Sequence, residues 1–300
     1  MRARFLALVG AAALLVLGAV PASAVEGGQG LSYLALGDSV PFGFNPLADA
    51  RDAGNFIGYP ETVAKELSLE DVNATCPGEA TGGFLSLTGT DNVCRPYRSA
   101  FPLHVSYSGT QMAFALNYLA THKHVRLVTL TLGANDFFRW RTDCKSLANG
   151  GPPGTCAPDP VTSFTRMLVT MGANLVTIFG KIRATGYSGL IVGVTYYSLV
   201  YPDTSGAETL NAPMQAALQA PGVNGHEASG VDAWRDTALA VPAPFTGSSC
   251  MAGLLIRLSP GPLGCDVHPT PLGRDLLAGK VLETVAATCG ATNARRCISS

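Results

Sequence analysis

The sequence predicts an α/β fold, in the form of a three-layer α/β/α sandwich with a mainly parallel central sheet. Segments rich in apolar and β-branched residues, typical of buried strands, occur at residues 32–37, 124–133 and 190–199. Helix-like segments, in which apolar residues recur at spacings of three and four, lie between these strands. Strands that alternate with helices favour a parallel sheet whose two faces are both covered by helices.

The remaining elements follow from the same two periodicities. The clearest helix begins near Val161 and ends near Ile182, because Phe164, Met171 and Leu175 recur at helical spacing between them. We also predict helices over residues 56–67, 110–120, 208–219 and 272–287, short strands near residue 72 and over 231–234, and loops over 76–104, 141–160 and 242–270.

The N-terminus has the pattern of a secretory signal peptide. Arg2 and Arg4 precede a short apolar run, and the small residues Ala22-Ser23-Ala24 follow it. We therefore predict a signal peptide over residues 1–24, cleavage after Ala24, and a single secreted domain over residues 25–300. An uncleaved membrane anchor is the alternative, but the apolar run is short and a cleavage motif follows it directly.

The charge balance argues against a nucleic-acid partner. Without Arg2 and Arg4, the 20 basic residues of the chain fall to 18, against 21 acidic residues. A nucleic-acid-binding protein is expected to carry a basic stripe, which this sequence lacks. We expect a monomer with no nucleic-acid partner and no stable membrane anchor.

All eight cysteines lie after the predicted cleavage point. An even number of cysteines after a secretion signal favours disulfides, although sequence alone cannot select one pairing. The cysteines fall into close neighbours along the chain, which favours Cys76–Cys94, Cys144–Cys156, Cys250–Cys265 and Cys289–Cys297. Zinc is the alternative, but no C-x-x-C pair is present, so no metal is expected.

Two short motifs follow predicted strands directly. Gly37-Asp38-Ser39 comes after the first strand, and Gly133-Ala134-Asn135-Asp136 comes after the strand at 124–133. Ligands of parallel α/β sheets bind at the carboxyl ends of the strands, so both motifs are expected at one functional edge. A G-x-S-x-G elbow, a P-loop and an H-E-x-x-H zinc motif are all absent from the sequence.

The sequence resembles the SGNH, or GDSL, hydrolase family in four blocks that occur in the family's order. The blocks are Gly37-Asp38-Ser39-Val40, Asn73-Ala74-Thr75-Cys76-Pro77-Gly78, Gly133-Ala134-Asn135-Asp136 and His268-Pro269. The resemblance covers nearly the whole mature chain. It implies the family's flavodoxin-like fold and a metal-free, cofactor-free ester hydrolysis.

The resemblance also implies a role for each site residue. Ser39 would be the nucleophile, and His268 would accept its proton and return it to the leaving alcohol. The backbone N–H groups of Ser39 and Gly78 and the side-chain amide of Asn135 would form the oxyanion hole. Gly82 and Gly83 follow Gly78 closely, and either of them is an alternative backbone donor.

One position departs from the family pattern. The family usually places an acid three residues before the histidine, where this chain has Cys265, and the acid here is Asp266, two residues before His268. Either Asp266 reaches the imidazole from a shifted loop, or a main-chain carbonyl orients the ring, as in some family members. A Cys250–Cys265 disulfide would hold this loop in place without an acid.

The sequence therefore predicts a secreted serine esterase or lipase that hydrolyses carboxylic esters through an acyl-serine intermediate. A lipid, a short-chain ester and an acylated polysaccharide all remain open as substrates. Phe137, Phe138 and Trp140 follow the third block and either line an acyl pocket or serve ordinary packing. The alternatives are an acyltransferase or a polysaccharide O-deacetylase with the same site, or a non-catalytic binding module of the same fold.

Overall fold

A five-stranded parallel sheet lies at the centre of the protein. The structure, a computed structural model, describes residues 30–148, 156–290 and 293–299, so the predicted signal peptide lies outside the described residues. The strands of the sheet are β1 Ser32–Gly37, β2 Glu70–Asn73, β3 Val125–Thr131, β4 Leu190–Val194 and β5 His226–Ala228. They lie in the order β2–β1–β3–β4–β5, and every neighbouring pair is parallel.

Helices cover both faces of this sheet. Those in the described residues are α1 Ser39–Phe42, α2 Tyr59–Leu67, α3 Thr81–Leu85, α4 Cys94–Ala100, α5 Gln111–Thr121, α6 Ala134–Ala148, α7 Pro160–Ala184, α8 Ser205–Leu218, α9 Gly230–Leu239, α10 Pro271–Thr288 and α11 Ala294–Ser299. Side chains of α2, α9, α10 and α11 pack into the core on one face, and those of α3, α5, α7 and α8 pack on the other.

The strands are apolar on both faces because both faces are buried. Along β1, Tyr33 and Ala35 belong to one core, while Leu34 and Leu36 belong to the other. Successive side chains of a strand point to opposite sides of the sheet, so a strand between two helical layers needs apolar residues at every position. The predicted fold class, an α/β/α sandwich with a mainly parallel sheet, is confirmed.

The predicted short strand over residues 231–234 is wrong. These residues lie in α9, which Ser229 caps by accepting a hydrogen bond from the Asp232 N–H at 3.2 Å. Val231, Trp234 and Ala238 are buried at helical spacing, and a segment of four residues was too short to show that period. The fifth strand comes a few residues earlier, at β5.

Several predicted loops contain regular structure. The segment 242–270 holds an antiparallel hairpin of β6 Leu255–Arg257 and β7 Cys265–Pro269. The segment 76–104 holds α3 and α4, and α6 continues into the segment 141–160. The strands of the hairpin are only three and five residues long, and β7 is half-exposed throughout, so neither shows an apolar alternation.

Four disulfides are present in the structure. They join Cys76 to Cys94, Cys144 to Cys156, Cys250 to Cys265 and Cys289 to Cys297, each cysteine pairing with its neighbour along the chain. Among the described residues, no helix combines the length and the apolar character that crossing a membrane requires.

Candidate active site

The first and third sequence blocks meet at the carboxyl edge of the sheet. Gly37, the last residue of β1, pairs with Thr131, the last residue of β3. Its φ is 130°, and a Cβ there would lie 2.0 Å from the Thr131 carbonyl oxygen, so glycine is required. The Asp38 N–H then donates to that same oxygen at 3.1 Å. Ser39 consequently begins α1 at the edge of the sheet, close to the start of α6.

Gln111 holds the peptide groups at the end of β1. Its Oε1 accepts from the Gly37 N–H at 2.6 Å, and its Nε2 donates to the Gly37 carbonyl at 3.0 Å. Both bonds are buried, and Gln111 itself is fully buried at the start of α5. The residue two positions before Ser39 is therefore fixed from the helical layer as well as from the sheet.

Ser39, His268 and Asp266 form a hydrogen-bonded chain. The Ser39 Oγ lies 2.8 Å from the His268 Nε2, and the His268 Nδ1 is hydrogen-bonded to Asp266 Oδ1. An ionised carboxylate can only accept, so Nδ1 carries the proton and Nε2 is free to accept one from the serine hydroxyl. The arrangement has the connectivity of a nucleophile, a base and an orienting acid.

Asp266 reaches the ring although it lies only two residues before it. Its Oδ1 accepts from the backbone N–H of His268 at 3.0 Å as well as from the imidazole. Partial burial opposes ionisation, but the hydrogen bond and the charge of His268 outweigh it and lower the pKa of Asp266. Of the two arrangements that the sequence left open, the structure shows the one in which Asp266 contacts the imidazole.

The hairpin that carries His268 is held by aromatic side chains. The Tyr197 hydroxyl donates to the carbonyl of Val267, and the Tyr197 ring stacks on Trp234 with 3.6 Å between centroids. On the other side, Phe44 meets the His268 ring edge-on at 4.9 Å. These contacts restrict the backbone just before the histidine and one face of its ring.

Asp38 supports the turn that carries Ser39 through buried hydrogen bonds. Its carboxylate is 1% exposed and accepts from the Val40 N–H at 3.0 Å and from the Tyr196 hydroxyl. The Tyr196 oxygen in turn accepts from the Ala134 N–H at 3.0 Å, so Tyr196 links the turn that carries Ser39 to the start of α6. Burial raises the pKa of Asp38 to about 6, against the lowering effect of these hydrogen bonds.

Asn135 is oriented by a residue that the sequence analysis did not identify. The Asn92 side chain donates from Nδ2 to the Asn135 Oδ1 at 2.9 Å. With its carbonyl engaged in this way, the amide of Asn135 presents its Nδ2 donors, and the residue lines the same cleft as Ser39. Asn135 is 5% exposed, so its orientation is set by protein contacts rather than by solvent.

Asn92 also contacts the second block. Its backbone N–H donates to the Gly78 carbonyl at 3.2 Å, so a single residue connects Gly78 with Asn135. Within the described part of the chain, the N–H groups of Ser39 and Gly78 have no hydrogen-bond acceptor. Both remain available to a ligand oxygen, as oxyanion donors must be.

The two alternative glycines lie in a different environment. Gly82 and Gly83 belong to α3, and the Gly83 N–H already donates to the Thr90 carbonyl at 2.5 Å. Gly82 lines a second, separate cavity of about 240 Å³ beside Trp140. The Gly83 N–H is therefore already engaged, and Gly82 lines the second cavity rather than the cleft beside Ser39.

A potential metal site elsewhere in the structure does not have the required donors. In the described residues, the one group of three close potential ligands is Glu79, Asp91 and Cys94. The sulfur of Cys94 is bonded to Cys76, and a disulfide sulfur is not a thiolate ligand. Burial, followed by the charge of Asp91, raises the pKa of Glu79 to about 8, which favours the neutral acid near neutral pH.

A cleft of about 450 Å³ opens beside the serine. Its walls come from the start of α6, the segment after β4 and the first turns of α8, and Ser39 and His268 lie at its base. Phe137 and Phe138 line this cleft, whereas Trp140 lines the second cavity and donates to Ser163 Oγ at 3.0 Å. The volume is within the range that ligand pockets occupy.

Comparisons with solved structures identify the fold. No protein-family model matches the sequence, and a comparison with curated proteins finds no match. An acetylxylan esterase from Geobacillus stearothermophilus is 14% identical, with a TM-score of 0.50 over 86% of this chain and 95% of that chain. A carbohydrate esterase family 2 enzyme from Myceliophthora fergusii, which also has a carbohydrate-binding domain, is 15% identical, with a TM-score of 0.50. That match covers 86% of this chain and 66% of the fungal chain.

A phospholipase A1 from Streptomyces albidoflavus is 18% identical, with a TM-score of 0.48 over 86% of this chain and 99% of that chain. The two esterase structures show that the protein has the three-layer fold of the SGNH hydrolases. The resemblance drawn from the four sequence blocks is thus confirmed at the level of the fold.

Proposed function

We propose that the protein is a secreted serine hydrolase that cleaves carboxylic esters through an acyl-Ser39 intermediate. The observation that carries this proposal is the hydrogen-bonded chain from Ser39 through His268 to Asp266 at the open edge of the sheet. A binding module of the same fold has no need for a nucleophile in contact with a base. The solved structures of the same fold that are esterases support the same activity.

In the first half of the reaction, the Ser39 Oγ attacks the ester carbonyl carbon while its proton passes to the His268 Nε2. The carbonyl oxygen becomes an oxyanion, which the N–H groups of Ser39 and Gly78 and the Nδ2 of Asn135 stabilise. When the carbon–oxygen bond to the alcohol breaks, His268 returns the proton to the leaving oxygen. Removing one such oxyanion donor typically raises the barrier by about 3–4 kcal/mol.

In the second half, water replaces the alcohol. His268, again neutral, accepts a proton from the water as its oxygen attacks the acyl carbon, and the same donors hold the second oxyanion. The bond from Ser39 Oγ to the acyl carbon then breaks, Ser39 recovers its proton, and the carboxylic acid leaves. Asp266 keeps Nδ1 protonated throughout and stabilises the imidazolium that forms in each half.

Secretion is proposed from two features of the sequence and structure. The N-terminal pattern at residues 1–24 predicts export with cleavage after Ala24. The four disulfides of the structure, with all eight cysteines paired, are typical of proteins that fold in an oxidising compartment. N-terminal sequencing of the exported protein tests the cleavage point.

The function is tested by hydrolysis of p-nitrophenyl acetate and by labelling with a fluorophosphonate. The wild-type protein should turn over the ester and become labelled at Ser39, as located by mass spectrometry. Ser39→Ala should lose at least about 10⁴-fold in kcat and all labelling, because the nucleophile is removed. Ser99→Ala, which changes an exposed helical serine, serves as the matched control and should keep both. A folded, oxidised wild-type protein that neither hydrolyses esters nor reacts would favour the binding module.

A further inference from the structure

The walls of the cleft beside Ser39 are apolar beyond the catalytic groups. Phe137 and Phe138 from α6, Leu199 and Val200 from the segment after β4, and Leu210 from α8 face the same space. Leu199 and Val200 are 47% and 56% exposed, so the apolar surface continues from the cleft to the rim. Exposed apolar side chains that continue a pocket favour an apolar ligand, because each loses contact with water when the ligand binds.

Two polar side chains of the same walls are already hydrogen-bonded to the protein, while the cation among the described lining residues is the exposed Arg141 of α6. The Ser198 hydroxyl donates to the Val200 carbonyl at 2.7 Å, and the Asp203 carboxylate accepts from the N–H and hydroxyl of Ser205. A sugar hydroxyl would need convergent free donors and acceptors, since an unpaired polar group is costly to bury. Phe137 is also stacked on Trp140, so one face of its ring is already covered.

The position of His268 decides which part of an ester occupies the cleft. The histidine must protonate the leaving alcohol, so the alcohol oxygen lies beside its Nε2, at the end of the cleft that His268 and Val267 form. The acyl group is attached to the other side of the carbonyl carbon. It therefore extends away from His268, between α6 and α8.

Gly206 keeps this space open. It lies in the first turn of α8 and lines the cleft, and a Cβ built on it would meet no atom within 4 Å. Its backbone is helical, so a larger side chain is compatible with its conformation. A side chain at this position would extend into open space at the entrance of the cleft.

On the basis of the esterase function proposed above, we propose that this cleft binds the aliphatic acyl chain of the substrate. Medium-length acyl esters are then the preferred substrates, and Gly206 is a specificity-determining residue. Each methylene group that becomes buried should raise kcat/KM by about fourfold, until the chain passes the rim.

Two ester series at fixed temperature test the proposal. For p-nitrophenyl esters, kcat/KM should rise from acetate through butyrate to octanoate, and palmitate should gain nothing further. For alkyl acetates, lengthening the alcohol from methyl to octyl should have much less effect. A flat acyl series, or a steep alcohol series, would overturn the proposal while leaving Ser39-dependent acetate hydrolysis, and hence the proposed function, intact.

A pair of glycine variants tests whether Gly206 determines the preferred acyl-chain length. Gly206→Leu should lower the octanoate-to-acetate ratio of kcat/KM by at least about tenfold, because the leucine side chain takes up space beside the acyl chain. Gly279→Leu is the matched control, because Gly279 is also helical with open space at its Cβ but lies on α10, away from the cleft. It should leave the ratio unchanged. An unchanged ratio in Gly206→Leu would contradict the assignment.

Two further measurements test the proposal if a glycine variant does not fold or if no hydrolysis is detected. Val200→Ser changes an exposed side chain and should lower the same ratio even if Gly206→Leu does not fold. Calorimetric binding of octanoate ion to Ser39→Ala needs no hydrolysis and should exceed that of acetate ion, with a negative heat-capacity change. Equal binding of the two ions would reject the acyl cleft independently of catalysis.

Discussion

The two halves of the candidate active site are positioned in different ways. Ser39 follows a strand that is buried along its whole length, and buried hydrogen bonds from Gln111 and Tyr196 hold its turn. His268 lies on a two-stranded hairpin in which every residue of β7 is partly exposed. That hairpin is attached by a disulfide, by a hydrogen bond from Tyr197, by the contact of Phe44 with His268, and by contacts with α1 and α10.

The difference shows where the site is rigid and where it depends on few contacts. The turn that carries Ser39 belongs to the cooperative core, so changes in the buried residues that hold this turn should destabilise the whole fold. The base is held locally, so changes near it should reduce activity well before they unfold the protein. Positioning within a fraction of an ångström matters in both halves, because a shift of about 1 Å can cost roughly 100-fold in rate.

Within this comparison, the largest loss of activity should come from changing Asp266, the acid that contacts His268. Asp266→Asn should lower kcat by about 10²–10⁴-fold, because an amide can no longer hold Nδ1 in its protonated form and stabilise the imidazolium. Asp275→Asn, an exposed acid that pairs with Arg274 on α10, is the control and should stay near wild type. A loss of less than about fivefold in Asp266→Asn would indicate a dyad, and the histidine would then be oriented by other groups.

The next effect concerns the nucleophile half and its oxyanion donors. Asn135→Ala should lower kcat by about 10²–10³-fold with little change in KM, because the lost bond forms mainly in the transition state. Asn92→Ala should act in the same direction but by only about tenfold, because the donor remains and loses only its orientation. A change confined to KM in Asn92→Ala would contradict a positioning role.

Removal of the hairpin disulfide tests the comparison directly. The double variant Cys250→Ser, Cys265→Ser should lose roughly ten- to 100-fold in kcat/KM at a temperature where it remains folded. It should also lose about 3 kcal/mol of unfolding free energy, which is the loop-closure entropy expected for a loop of this size. Cys289→Ser with Cys297→Ser is the matched control at the far end of α10, and it should lose stability without a loss of rate.

Equal rate losses in the two double variants would show that the hairpin is no more dependent on its crosslink than the rest of the domain. Circular dichroism and thermal unfolding of both proteins establish which temperature is low enough for the comparison.

The smallest expected effect is on the pH dependence of stability, and it has opposite signs in the two halves. The raised pKa of Asp38 means that its contribution is present below its ordinary pKa near 4 and is lost as pH rises through about 6. The lowered pKa of Asp266 contributes stability at neutral pH that is lost as pH falls below its ordinary value.

Denaturant unfolding between pH 4 and pH 7 measures this difference. Asp38→Asn should make the decline in stability over that range shallower than in wild type, since Glu79 and Asp71, whose pKa values are also raised, still contribute to it. Asp266→Asn should leave the wild-type decline in place. If Asp38→Asn follows the wild-type curve throughout, the buried carboxyl does not titrate there.

The sequence was sufficient for the fold because both relevant signals are local. Apolar runs of strand length separated by helical periods define the sandwich, and glycine-terminated strands define its functional edge. The sequence did not reveal Gln111, Asn92 or Tyr196, since each acts through hydrogen bonds to residues far away in the chain and carries no neighbouring pattern. Asp266 was left open for a related reason: its contact depends on the course of a hairpin whose strands are too short to show a period.

The bidentate contact of Gln111 with Gly37 has a consequence for protein design. A side-chain amide there offers one acceptor and one donor, the same pair that the next peptide group of an adjoining strand would offer. Gln111 of α5 therefore takes the place of a peptide group of an adjoining strand at the end of β1. No described residue of the cleft lining belongs to α5. Grafting the nucleophile motif onto another scaffold would therefore require transferring α5 together with the strand and the turn.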